Sequence, residues 1–340
     1  MPIIKSRSKL DISYVPSKVL CRDREISILK ALMASGGKVL LSGEIGTGKT
    51  MLAKYLFRDA IYVNCFMNRS EHAILENILT KARPNFNTAG LPSRKLWEYL
   101  PDKITVILDE VEGILADDLV HFLYTLSRRS EYGRKLRYIA ITRDPNILKQ
   151  IINDDATWST FAEKAIVYLQ PYTHEQMVEI LQYRASEALY EGTFDEEVLS
   201  LIADISIRSR GHMRTAIDLL RNSAAMAEQN GKTKIEPEDV REANLDVWMG
   251  EINLLDEEHL MILFSVAKAC ESKSYTTAEE IETICLDEFG DKFAKIESIE
   301  RYLSRLEAEG FICKCDENKY ALLVPSLLTM REAERLIEKE

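Results

Sequence analysis

Gly43-Glu44-Ile45-Gly46-Thr47-Gly48-Lys49-Thr50 has the composition and spacing of a loop built to hold phosphate. Its glycines allow positive φ, so successive backbone N–H groups can turn inward around phosphate oxygens. Lys49 supplies a point charge for the β- and γ-phosphates, and the Thr50 hydroxyl can ligate Mg²⁺. Gly46, Thr47, Gly48, Lys49, Thr50 and Met51 are therefore the residues expected to line a nucleoside triphosphate such as ATP, or ADP after its hydrolysis. A second element supplies carboxylates: Thr105-Val106-Ile107-Leu108-Asp109-Glu110 is an apolar run ending in two acids. Asp109 is placed to hold Mg²⁺ through its water shell and Glu110 to orient the attacking water.

Those side chains converge only if strands deliver them to one sheet edge. Apolar runs recur at 38–42, 61–66, 105–108, 138–142 and 165–169, separated by helical patterning. This predicts an α/β fold with a five-stranded, mostly parallel sheet covered on both faces, its ligands at the carboxyl edge. The run 38–42 feeds the phosphate loop, and 50–56 forms the helix whose positive end faces the phosphates.

After Gln170-Pro171-Tyr172 the strands stop. Thr173 with Gln176 resembles a capping box, and Thr193 with Glu196 repeats it, ahead of helices at 176–189 and 198–207. A third helix opens at Gly211 and a fourth follows Pro237. From Asp256 three helices, at 259–270, 277–289 and 298–310, precede two short strands around the turn Asp316-Glu317-Asn318, the order of a winged helix. In the third of these, Ile299, Tyr302, Leu303 and Leu306 share the core face, which leaves Arg301, Ser304 and Arg305 outward as a candidate recognition surface beside Glu297 and Glu300. The domains expected are 1–170, a nucleotide-binding core with its N-terminal arm; 171–250, a helical lid; and 251–340, the winged helix.

At 340 residues and 46% apolar content the chain can bury two or three cores. No apolar run approaches the ~18–20 residues of a membrane span, so a soluble cytoplasmic protein without membrane contact is expected. The six cysteines are scattered, and only Cys313 and Cys315 are close; with no second ligand pair in sequence they read as reduced thiols rather than a zinc site. The net charge is −11, and residues 255–340 carry 20 Asp/Glu against 11 Lys/Arg, so any nucleic-acid contact must come from local basic patches.

The order of these motifs resembles the archaeal replication initiators related to the origin-recognition and cell-division-cycle loading proteins, an AAA+ ATPase family with a C-terminal winged helix. Val15-Pro16 with Arg22-Asp23-Arg24-Glu25 is similar to the family's N-terminal box, and Tyr62-Val63-Asn64-Cys65 to its second strand. Leu108-Asp109-Glu110 matches its magnesium motif, 171–173 and 180–184 the start of its lid, and 211–221 its second-sensor stretch. The resemblance implies that Pro16, Arg22, Tyr172 and Arg184 contact nucleotide and that Arg214 meets the γ-phosphate. It also implies origin duplex DNA as a partner, with a replicative helicase or other initiator subunits beside it. A catalytic set of Glu110, Lys49, Thr142 and Arg214 follows, with Thr142 or Arg143 as first sensor where the family has asparagine. Residues 84–100 fall at the family's DNA-contacting insert, aiming Arg83, Arg94 and Lys95 at a backbone; Lys314 and Lys319 are the wing's cations.

The departures are specific. No arginine lies near 155–160, where the family's finger belongs, which predicts slow hydrolysis. The wing tip, Asp316-Glu317, is acidic. Arg128, Arg129, Arg134, Lys135 and Arg137, and Lys5, Arg7 and Lys9 in the arm, remain as basic clusters, the first interrupted by Glu131 and Tyr132-Gly133. The leading expectation is an ATP-dependent initiator or helicase loader that uses nucleotide as a switch; its rival is a nucleotide-binding regulatory protein whose acidic winged helix binds a protein.

Overall fold

The computed structural model describes residues 2–129, 136–244, 251–290, 292–296 and 298–338. Glu131, Tyr132, Gly133, Arg134, Lys135 and Glu297, singled out above, lie outside the described residues. The chain divides into two compact units, Val15–Tyr172 and Met1–Tyr14 with Thr173–Glu340.

The first unit begins with α1 (Asp23–Ser35), β1 (Lys38–Gly43), α2 (Lys49–Leu56), β2 (Ile61–Asn64), α3 (Glu71–Ala82) and α4 (Ser93–Tyr99). It continues through β3 (Thr105–Asp109), α5 (Ala116–Arg128), β4 (Arg137–Thr142), α6 (Pro145–Ile152), α7 (Asp155–Phe161) and β5 (Ile166–Leu169). All five strands are parallel, in the order β2-β3-β4-β1-β5. Side chains alternate across a strand, so each face needs its own apolar set. Val39, Leu41, Ile107, Ile139 and Ile141 pack with Leu29, Met33 and Leu52 of α1 and α2. Leu40, Val106, Leu108, Tyr138 and Ala140 point the other way, toward apolar residues of α3 to α7. Near-continuous apolar strands are the signature of a sheet covered on both faces, and this is why the five runs were legible.

The second unit holds α8 (His174–Ala188), α9 (Glu196–Arg208), α10 (Met213–Gln229) and α11 (Pro237–Ala243), then α12 (Glu257–Ala269), β6 (Tyr275–Thr276), α13 (Ala278–Phe289), α14 (Glu300–Ala308), β7 (Ile312–Asp316), β8 (Lys319–Leu322) and α15 (Ser326–Ile337). The capping box of Thr173 and Gln176 forms. The second proposed cap does not: Asp195 accepts the Val198 N–H, and the Thr193 hydroxyl turns to the Tyr190 carbonyl. The carboxylate, closer to the orphan N–H groups, also complements the helix dipole. Residues 252–337 enclose a core of their own. Its three antiparallel strands, ordered β6-β8-β7, and helices α12 to α14 follow the winged-helix order. Strand β6 and helix α15 were not foreseen; α15 buries Ala333 in that core, with Met330 and Leu336 packed against it.

The N-terminal arm, expected with the nucleotide-binding core, pairs within the second unit instead. Lys5 N and Ser6 N donate to Ala188 O at 2.8 and 2.9 Å, Ile4 bridges Leu189, and Ile3 and Leu10 are fully buried. The Ala188 carbonyl at the end of α8 offers the extended arm a partner it would otherwise lack.

Candidate nucleotide-binding site

The phosphate loop joins β1 to α2, and its glycines are placed by need. Gly48 sits at φ +86°, where a Cβ would meet the Tyr172 hydroxyl at 3.3 Å. At Gly43 a Cβ would fall 2.5 Å from the Leu169 carbonyl, so the loop's entry admits no side chain. Lys49 folds over the loop, its Nζ donating to Gly43 O and Glu44 O at 2.6 and 2.7 Å. Thr50 lies in the first turn of α2 and donates its hydroxyl to Asp109 Oδ2 at 2.8 Å. A hydroxyl and a carboxylate at this separation are hard oxygen donors of the kind Mg²⁺ takes while keeping several waters, so the pair fits that ion.

β2 brings residues whose part the sequence reading missed. Its register sets Asn64 opposite Asp109. Asn64 Nδ2 then donates to Glu110 Oε2 at 3.1 Å, and the Tyr62 hydroxyl donates to Asp109 Oδ2 at 3.0 Å. Burial, and then the Asp109 charge, push the Tyr62 phenol up to about 12, so it stays a neutral donor. Glu110 itself stands at φ +56°, a left-handed conformation uncommon for glutamate and a local store of strain. The signal that could have found Asn64 is strand order: once β2 lies beside β3, the residue ending β2 must face the carboxylates.

Thr142, one of the two candidate first sensors, is buried, its hydroxyl 3.4 Å from Asp144 O. Arg143 is the residue that turns outward, with Nη2 3.7 Å from Glu110 Oε1. Thr142 ends β4 and Arg143 follows it, and adjacent residues of an extended chain point to opposite sides.

Arg22 and Tyr172 come together beside the loop. The guanidinium lies 3.9 Å above the Tyr172 ring and donates to Gln170 O at 2.7 Å and Thr47 O at 3.3 Å. Its Nε is buried without a hydrogen-bond partner, and Pro16 is buried in the same unit. Arg184 and Arg214 belong to the second unit. Arg184 is buried, donates to Lys9 O at 2.8 Å and lies over the Tyr14 ring, thereby holding the arm. Arg214 is exposed in the first turn of α10.

Of the cations read as candidate DNA contacts, Arg94, Lys95 and Arg305 are engaged with acids. Arg94 and Lys95 both pair with Glu98, at 3.8 and 2.8 Å. Arg305 meets Asp256 and Glu309, and Ser304 donates back to Glu300 O. Lys319 lies 3.6 Å over the Tyr275 ring and Lys314 beside Tyr320. Arg301, exposed, makes no ion pair among the described residues. In the other basic clusters, Arg129 donates to Trp97 O, and Lys9 and Arg7 pair with Glu187 and Glu228. No helix among the described residues is long and apolar enough to cross a membrane.

Two family models match the chain: the ATPase family associated with various cellular activities over residues 39–157, and the Cdc6 AAA+ ATPase-type lid domain over residues 178–245. The chain is 27% identical over 313 residues to ORC1-type DNA replication protein 1 of Methanosarcina acetivorans, covering 82% of this chain and 75% of that protein. A second protein of that name, from Sulfolobus acidocaldarius, is 27% identical over 311 residues, with 83% and 78% covered. In fold this chain is similar to Cdc6p from Pyrobaculum aerophilum, with a TM-score of 0.87 at 24% identity over 99% of each chain. The Aeropyrum pernix ORC1 protein, solved in complex with DNA, superposes with a TM-score of 0.63 at 21% identity over 99% and 98% of the two chains. The chain thus carries an AAA ATPase region followed by a Cdc6-type lid, and over most of its length it is similar to the archaeal origin-recognition and cell-division-cycle type AAA+ proteins.

Proposed function

We propose that this protein is an ATP-dependent replication initiator of the origin-recognition type that binds duplex DNA and uses nucleotide state as a slow conformational switch. The observation that carries the reading is the convergence of Lys49, Thr50, Asp109 and Glu110 at one sheet edge, with Asn64 and Arg143 on the Glu110 carboxylate. Thr50 and Asp109 would hold Mg²⁺, which supplies charge neutralisation for phosphoryl transfer. Lys49 and the inward N–H groups bind the phosphates; Glu110 accepts a proton from the attacking water, and Asn64 and Arg143 orient it. Arg22 and Tyr172 shape the loop's flank, and Arg184 fixes the arm against α8. Arg214 serves as the γ-phosphate sensor, and the absence of an arginine over 155–160 keeps turnover slow. A replicative helicase or further initiator subunits are the assembly partners this reading calls for, within domains divided as core, lid and winged helix.

A second reading is favoured by one specific observation: Arg305 is engaged by Asp256 and Glu309 in a strongly acidic region. Under it the winged helix docks on a basic protein surface. Duplex binding across a salt series, with and without ATP, for the parent and Lys49→Ala, separates the two. The initiator reading expects salt-dependent binding that ATP modulates in the parent alone; no duplex binding at low salt leaves the protein-docking reading.

A further inference from the structure

In sequence, Cys313 and Cys315 lack a second pair of metal ligands. The fold supplies a carboxylate from far upstream. Asp204, in α9, and the thiols of Cys313 and Cys315, in β7, place their donor atoms within 4.8 Å of one another. Residues two apart in a strand share a face, which is why both sulfurs meet the same helix. Asp204 and Cys313 are buried, and Cys315 is partly exposed, leaving the group a route to solvent.

The carboxylate is also held in place. The His174 ring lies with Nε2 3.2 Å from Asp204 Oδ1, and the Tyr275 hydroxyl lies 2.7 Å from Oδ2. Ser200 Oγ is 2.8 Å from that hydroxyl and 3.4 Å from the His174 nitrogen. A ligand whose outer partners fix its orientation is what a metal site needs, and such partners are worth about 10–100-fold in affinity.

We propose that Asp204, Cys313 and Cys315 form a binding site for a zinc-class divalent cation that ties the β7–β8 hairpin to α9, with His174 and Tyr275 orienting the carboxylate. Two sulfurs and one oxygen suit a borderline-soft tetrahedral ion and disfavour Mg²⁺ or Ca²⁺, which take oxygen alone. Zinc–sulfur bonds of ~2.3 Å and zinc–oxygen bonds of ~2.0–2.2 Å put tetrahedral donors roughly 3.5–3.8 Å apart, so the observed spread closes by small side-chain rotations. Water completes the tetrahedron, and each thiol gives up its proton to solvent on binding. Three ligands with one open position make the affinity lower than that of a closed four-ligand structural site.

The test uses the full chain, reduced and stripped of metal, titrated with Co²⁺ and followed by absorption. The expected result is one equivalent bound, with a thiolate-to-cobalt charge-transfer band and the intense visible bands of a tetrahedral ion, both erased by Zn²⁺. Cys315→Ser loses the charge-transfer band in large part, Cys313→Ser with Cys315→Ser loses it wholly, and His174→Ala weakens binding by about 10–100-fold. Cys21→Ser leaves the spectrum unchanged. The parent titration needs no variant to fold, and a parent without the charge-transfer band overturns the proposal. So does a band that survives loss of both cysteines in the strand, or one that depends on Cys21.

Discussion

Arg143, just past the end of β4, reaches Glu110, just past the end of β3, with Nη2 3.7 Å from Oε1, while Asn64 holds the other carboxylate oxygen at 3.1 Å. Two neighbouring strands thus steer one carboxylate. Glu110→Gln preserves shape and removes the proposed proton acceptor, so it should retain Mg-ATP while turnover falls by about 10²–10⁴-fold. Arg143→Ala breaks a solvent-exposed pair of the ~0–1 kcal/mol class, so turnover should change by no more than about fivefold. Single-turnover hydrolysis beside equilibrium nucleotide binding measures both; parent-rate turnover in Glu110→Gln would remove its catalytic role.

For duplex binding, Arg301 and Arg305 are not equivalent. Arg305 must leave Asp256 and Glu309 before it can meet a phosphate, whereas Arg301 is exposed. Arg301→Ala should therefore weaken binding more than Arg305→Ala, and the double change should flatten the salt slope by about one unit for each phosphate no longer neutralised. Affinity measured from low to moderate salt checks this, and an unchanged slope in the double variant speaks for a protein-binding winged helix.

Arg241 is fully buried, and its guanidinium serves the carbonyls of Leu322 at 3.1 Å, Cys270 at 2.8 Å and Lys273 at 2.6 Å, as well as Glu238 at 3.2 Å. It fastens α11 to the turn before β6 and to β8. Arg241→Ala strands these acceptors and should lower stability by about 3–5 kcal/mol. Arg241→Lys should recover only part of the loss, because one ammonium cannot reproduce the planar fork. Urea midpoints for the three proteins decide the order.

Glu228 holds the arm by accepting the N–H groups of Ile3 and Ile4 at 3.0 and 3.3 Å. The Ile4 bond first, then that of Ile3, keeps its carboxyl below the usual range, with Arg7 adding to the effect against burial. A depressed folded pKa means stabilisation that is present above the unfolded value of about 4.3 and lost as pH falls through the folded one. Proteolysis of the arm should accelerate in the parent on acidification below about pH 4, whereas Glu228→Gln should be cut faster already at neutral pH and respond less to acid. Identical profiles would show that Glu228 does not hold the arm.

The nucleotide loop, the carboxylate pair and the five strands were legible because each rests on local chemistry: glycine φ angles, strand periodicity and the placement of charges at a strand end. The pairing of Arg94 and Lys95 with Glu98 was not anticipated, although i,i+4 and i,i+3 spacing puts all three on one helix face. Helix α15 escaped because its apolar residues acquire meaning only against α12 and the core they cover. The side chains that steer Glu110 depended on register, which sets Asn64 beside the carboxylates and turns Arg143 rather than Thr142 toward them. The meeting of Asp204 with Cys313 and Cys315, and the groups around Arg241, depended on chain segments far apart in sequence. Local propensity and periodicity determine which residues form an element and which face they present; which distant side chain completes a site follows only from how the elements pack, because packing is driven by non-directional burial of apolar faces and leaves no local mark on the polar residues it brings together.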